Sequence, residues 1–170
     1  EMVRHAIRPD VGAVGARLLY PAGCVQHSGV ILGYRGLAGH AFRYMPDYNM
    51  GPWARGYLIQ NFLAVTAACL VIRKSLFQEV GGFNQIDLPI TFNDVDLCLK
   101  VHEKGYRNLF TPYAELVHLE SVTRKNMAYE FENEYMRMRW SYWIKCDPHF
   151  NENLSKSSES FLLPIGEASF

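Results

Sequence analysis

Hydrophobic positions along the chain fall into short blocks separated by Gly- and Pro-rich turns, and the blocks predict alternating strands and helices. Residues 11–20, VGAVGARLLY, form an unbroken apolar run whose small residues permit close packing, as in a buried strand. Pro21-Ala-Gly23 turns it, and residues 25–32 read as a second strand carrying His27 and Ser28. Residues 58–65 and 67–73 predict strands split at Thr66. A short helix over 74–80 stops at Gly81-Gly82. Residues 107–110 predict a strand ended by Thr111-Pro112, with another over 114–119. The first nine residues read as the tail of a helix closing at Pro9. Residues 33–56 have no period but are rich in aromatics, Gly and Arg, which favours a functional loop over disorder.

Two stretches carry helical spacing. Residues 126–145 predict the longest helix, with Phe131, Tyr135, Met138 and Tyr142 on one stripe that reads as core. Its acids come early and its bases late, as the helix dipole prefers. The other begins at residues 92–100, FNDVDLCLK. Asn93 and Asp96 have capping-pair spacing, with Asn93 as N-cap. Gly105 supplies a left-handed stop for a helix running to Lys104.

On a wheel of about 100° per residue, Val95, Leu97, Cys98, Leu99, Val101 and His102 share one arc. Asp96, Lys100, Glu103 and Lys104 share the other. Asp94 falls within the apolar arc, so the pattern aims it at the body of the protein. A carboxylate placed there is costly unless it is hydrogen-bonded or lines a cleft. Asp94 is therefore either a second capping acid or a carboxylate poised at a site.

Composition narrows the class. With 170 residues, 49% hydrophobic and 14% aromatic, the chain can bury a sizeable core and is not disordered. Lys and Arg number 17, as do Asp and Glu, which gives no support for nucleic-acid binding or a polybasic membrane anchor. The longest apolar run, over 62–72, is too short to span a bilayer. Cys24, Cys69, Cys98 and Cys146 have no metal-type spacing and read as reduced thiols of a cytoplasmic protein. The strand and helix pattern gives an α/β domain.

The segments VGAVGARLLYPAG, QHSGVILG, GHAF, TAACLVIRKSLFQEVGGFNQ and FNDVDLCLKVHEKGYRNLFTPYAELVHLES, in that order, carry a further signal. Together they resemble family-two inverting glycosyltransferases, in particular the rhamnosyl- and galactosyltransferase-like branch that builds bacterial surface polysaccharides. The match covers almost the whole chain, including DPHFNENLS near its end. The resemblance implies the C-terminal, acceptor-side half of a GT-A fold: a mixed sheet with flanking helices over 1–146, then an extended tail over 147–170. The donor-side strand and metal-binding DxD-type motif would lie upstream. Asp94-Val-Asp96 has the letters of that motif but sits at a helix start within a different one.

Position by position, Asn93-Asp94 matches the family's ED-type pair, which makes Asp94 the catalytic base and Asn93 an acceptor contact. Thr66-Ala67-Ala68 matches the donor-side Thr-Gly-Ala, with Ala67 adding a methyl beside the sugar. Ser121 and Arg124 fall where the family's chain passes the diphosphate; Arg124 also reads as a cap for the next segment. His118 matches a metal-site histidine and equally a hydrogen-bonded strand histidine. His27 and His40 flank the aromatic loop, with His40 as an acceptor contact. Trp53 is placed to stack on an acceptor sugar or simply to pack.

The implied partners are a nucleotide-diphosphate sugar and a saccharide or lipid-linked saccharide acceptor. A divalent cation, Mn²⁺ or Mg²⁺, is implied for the intact enzyme and none for this piece alone, which is expected to be inactive. The implied location is cytoplasmic or peripheral at the inner face of the plasma membrane. Loss of the upstream half would leave strand edges exposed over 11–20 and favour a homodimer. The alternative is a non-catalytic saccharide-binding or protein-interaction module built on the same half-fold. A two-carboxylate glycosidase is disfavoured, because the wheel sends Asp94 and Asp96 to opposite faces.

Overall fold

The computed structural model describes residues 1–119, 130–158 and 160–164. Its centre is the strand β1, Val11–Leu19, every residue of which is buried. On one side β1 pairs in parallel with the long strand β7, Arg107–Val117. On the other side it pairs antiparallel with β2, Val25–His27, and β6, Leu70–Val71. The strand β5, Gln60–Phe62, continues the sheet beyond β7. A second ribbon joins β3, Val30–Leu32, to β4, Ala38–His40. The result is a mixed α/β architecture. Because β1 is the central strand, the edge expected over 11–20 does not exist, and that ground for a dimer falls away.

Small residues in β1 set the packing distances. A Cβ on Gly12 would lie 2.2 Å from Val101 Cγ1, and one on Gly15 would lie 2.5 Å from Val65 Cβ. These contacts seat the helix α3, Asn93–Glu103, and the 65–68 turn directly on the sheet. Asn108 on β7 fastens the same junction. It accepts from the Ala13 amide at 3.1 Å and donates to the Leu63 and Cys98 carbonyls, each at 2.8 Å.

Several boundaries differ from the sequence expectation, each for a local reason. The run 25–32 breaks into β2 and β3 at Gly29, whose φ of +103° is readily adopted only without a side chain. Pro112 does not end β7. It falls where the register jumps, from Ala16 opposite Thr111 to Arg17 opposite Glu115, so its missing donor lies in a bulge. The predicted strand over 67–73 is a 3₁₀ turn, Ala67–Cys69, followed by the two-residue β6. The helices α1, Met2–Ala6, and α2, Lys74–Glu79, appear near their expected places.

The helix expected over 126–145 is, within the described residues, α4, Glu130–Arg139, and α5, Ser141–Lys145. Of its aromatic stripe Tyr135 packs half-buried against the core, whereas Phe131, Met138 and Tyr142 are exposed, and the inward stripe is Glu132, Met136 and Trp140. After α5 the chain has no regular element, yet Phe150, Leu154 and Phe161 are buried in the main core. At roughly 2 kcal/mol per buried side chain of this size, these three residues hold the tail against the domain. No helix among the described residues is long and apolar enough to cross a membrane.

Candidate active site

Helix α3 begins abruptly. Phe92, not Asn93, is its N-cap, with a left-handed φ of 57° and no side-chain cap bond. Asn93 is instead the first helical residue and half-buried. At the other end, Gly105 adopts the expected left-handed conformation, φ +89°.

The two aspartates part company in this first turn. Asp96, expected on the solvent face, is buried; its Oδ1 accepts from Trp140 Nε1 at 2.9 Å, and its Oδ2 forms an ion pair with Lys100 Nζ at 2.9 Å. Asp94 stays half-buried at the surface. Its Oδ1 accepts from the Val95 amide at 2.8 Å and its Oδ2 from the Ala67 amide at 3.0 Å. The two backbone donors fix the orientation of the carboxylate. The group is held in place and still within reach of solvent.

Asp94 thus meets the 66–68 turn, two sequence-predicted features that lie 27 residues apart. Thr66 caps the turn, its Oγ1 accepting from the Ala68 amide at 3.3 Å. Ala67 and Ala68 are exposed, so the methyl of Ala67 faces outward beside Asp94. From below, Cys98 Sγ donates to the Val65 carbonyl at 3.6 Å. Burial pushes the Cys98 thiol up to about 12, so it is a packing group rather than a nucleophile.

The sequence places His27 only beside the aromatic loop, yet it is the buried hub beneath this turn. It is fully buried on β2, and its Nε2 accepts from the Gly29 amide at 3.2 Å and the Thr66 amide at 3.4 Å. Its Nδ1 lies 2.8 Å from Nδ1 of half-buried His40. Burial, then the neighbouring His40, hold the His27 pKa well below its ordinary value.

His118 follows β7 and is tied to β1 by its amide, which donates to the Leu19 carbonyl at 2.9 Å. Its Nδ1 donates to Gln26 Oε1 at 2.8 Å, which leaves Nε2 as the lone-pair nitrogen. His118 is thus tied to Gln26 and the 66–68 turn to His27, successive residues of β2. Among the described residues, no three His, Cys, Asp or Glu side chains converge as metal ligands, so these residues do not by themselves build a cation site.

Trp53 is 72% exposed in the 3₁₀ segment Pro52–Tyr57, with a left-handed φ of 54°. The preceding Pro52 helps line a hollow of about 420 Å³, with Arg43, Tyr44, Asn49, Gly51 and Leu162, and neither Trp53 nor Asp94 lines it. Ser121 and Arg124 lie outside the described residues.

Glu132 was missed because its neighbours on α4 suggested an outward face. It is fully buried and accepts from the amides of Ile90 at 2.8 Å and Thr91 at 3.0 Å, and from Thr91 Oγ1 at 2.5 Å. It therefore pins the strap leading to Phe92 and Asp94.

No family model matches the chain. It is 46% identical over 170 residues to an uncharacterized protein of Sinorhizobium fredii, covering 96% of this chain and 19% of that protein. It is 38% identical over 160 residues to O-antigen biosynthesis protein RfbC of Myxococcus xanthus, covering 91% of this chain and 12% of that protein. It is 26% identical over 117 residues to an N-acetylglucosaminyl-diphospho-decaprenol L-rhamnosyltransferase of Mycobacterium tuberculosis, covering 65% of this chain and 38% of that enzyme. The chain spans well under half the length of each of these relatives. Across nearly all of its own length, it is thus similar to a segment of larger bacterial proteins, one of them named for O-antigen biosynthesis.

Proposed function

We propose that the chain is the acceptor-side part of an inverting glycosyltransferase of GT-A architecture, acting in bacterial surface-polysaccharide synthesis, with Asp94 as general base. The observation that carries this reading is the clamped carboxylate of Asp94. It is fixed by the Ala67 and Val95 amides at a helix start and remains half-exposed. The relatives named for O-antigen biosynthesis and rhamnosyl transfer support the reaction class.

In the reaction, Asp94 takes the proton of the acceptor hydroxyl as that oxygen bonds to the anomeric carbon. The bond from that carbon to the diphosphate oxygen breaks from the opposite face. Its electron pair leaves with the nucleoside diphosphate, and the configuration inverts. Thr66, Ala67 and Ala68 form the wall beside the donor sugar, with Ser121 and Arg124 assigned to the diphosphate. Asn93, His40 and Trp53 are assigned to the acceptor, a saccharide or lipid-linked saccharide. When bound, a divalent cation would neutralise the leaving diphosphate. His118 offers one nitrogen, and the other ligands must come from outside the described residues. The working location is the cytoplasmic side of the membrane, where nucleotide sugars are made.

The hollow lined by Arg43, Tyr44, Asn49 and Pro52, which Asp94 does not line, favours a second reading as a saccharide-binding module without catalysis. The intact protein containing this segment separates the two when assayed with a panel of nucleotide sugars and saccharide acceptors. Transfer with inverted product supports the enzyme; saccharide binding without transfer supports the module.

A further inference from the structure

We propose that His27 is a positioning residue for Asp94, acting through the Thr66–Ala67 turn; the catalytic consequence rests on Asp94 being the base. Two backbone amides, those of Gly29 and Thr66, converge on His27 Nε2. A nitrogen that receives two N–H groups carries a lone pair and no proton. The ring proton of neutral His27 is therefore on Nδ1, aimed at His40 Nδ1 2.8 Å away. His40 Nδ1 must then accept, so within the bonded pair the proton of neutral His40 is on Nε2.

The next amide along the turn, that of Ala67, donates to Asp94 Oδ2. One dipeptide is thus held at both ends, by a buried imidazole below and by the carboxylate above. Phe110 packs against His27 edge-on, with ring centroids 6.5 Å apart, and fixes the plane of the imidazole. A histidine that merely filled core volume would need no such convergence of amides. Placing the proton on Nε2 would oppose N–H to N–H at Thr66 and Gly29 and push the turn away from Asp94.

The test uses the ¹⁵N-labelled chain with two variants, His27→Gln and His27→Leu, and Asp94→Ala, which removes the acceptor of the Ala67 amide, as reference. Glutamine keeps an acceptor where Nε2 stood; leucine keeps the bulk and supplies none. Long-range ¹H–¹⁵N spectra of the wild type should show His27 protonated on Nδ1 and bare on Nε2. The Ala67 amide resonance should move in H27L toward its position in D94A, and H27Q should restore most of that shift. In the intact transferase, H27L should lower kcat by roughly 10–100-fold with little change in KM, as expected for a displaced catalytic group.

A proton on His27 Nε2, or an Ala67 resonance unmoved in folded H27L, would overturn the proposal. If H27L does not fold, the wild-type tautomer decides alone. The Ala67 readout does not depend on Asp94 acting as a base, so failure of that assignment would show separately, as turnover retained by D94N.

Discussion

Trp140 Nε1 donates to the buried Oδ1 of Asp96 at 2.9 Å, across the junction between α3 and the α4–α5 segment. Two residues earlier, Asp94 reaches the other way, to the Ala67 amide. Adjacent acids in one sequence motif therefore divide the work. Asp96 locks the helix into the domain, and Asp94 stays at the surface on that rigid support.

Asp96→Ala should cost about 3 kcal/mol, because it strands a buried indole N–H and leaves half-buried Lys100 with only the Gly82 carbonyl in place of its ion pair. Trp140→Phe keeps the ring and removes only the donor, so it should cost less. Urea unfolding followed by circular dichroism gives both numbers. A loss within 0.5 kcal/mol for Asp96→Ala, roughly the range of a surface substitution, would mean the contact is not a structural anchor.

Glu132→Leu should release the 90–91 strap by leaving three donors without their acceptor. Amide exchange at Ile90 and Thr91 should accelerate by at least about tenfold, the equivalent of 1.4 kcal/mol. Exchange in β1 should rise only to the extent that global stability falls. Equal acceleration at all sites would show that Glu132 supports the whole fold and has no special hold on the strap.

Much of this arrangement was legible in the sequence, and the failures have physical causes. The small residues of β1, the stop at Gly105 and the inward apolar face of α3 follow from local chemistry. The wheel misplaced Asp96 because a carboxylate counts as polar whatever its partner, and its partner is a tryptophan 44 residues away. The same bias chose Phe131 and Met138 for the core of α4 over Glu132. Asn93 read as a cap because nothing in the sequence marks Phe92 as left-handed. The convergence of Asp94 with Ala67 depends on tertiary packing of Val65 over Gly15, which no spacing along the chain encodes. His27 carried one weak signal, a histidine within an apolar strand.

Thiol chemistry should report the packing beneath the site. Exposed Cys146 should alkylate at mildly alkaline pH, while Cys98, buried with a pKa pushed up to about 12, should react only on unfolding. Stability tied to Cys98 is complete below its ordinary value of 9.0 and declines as pH rises toward 12. Mass spectrometry of the labelled native protein checks the order. Labelling of Cys98 as fast as Cys146 would mean α3 opens readily from the sheet.

Acid should act through His27 in the opposite sense. Its folded pKa lies below the ordinary 6.5, so the stability gained from a neutral ring is complete above 6.5 and is lost as pH falls below it. His149 is depressed by burial as well and adds in the same direction. The difference between wild type and His27→Gln isolates the first histidine. Unfolding free energies between pH 7.5 and 5 should fall more steeply in the wild type; parallel curves would place His27 outside this effect.

The most direct measurement is the turnover of Asp94→Asn in the intact protein, alongside its unfolding midpoint. The asparagine carbonyl can still accept from the Ala67 amide, so the midpoint should stay near wild type. With the proton acceptor removed, turnover should fall by about 10²–10⁴-fold, the range expected for a general base. A well-folded Asp94→Asn protein that keeps most of its turnover would contradict the assignment of Asp94 as the base.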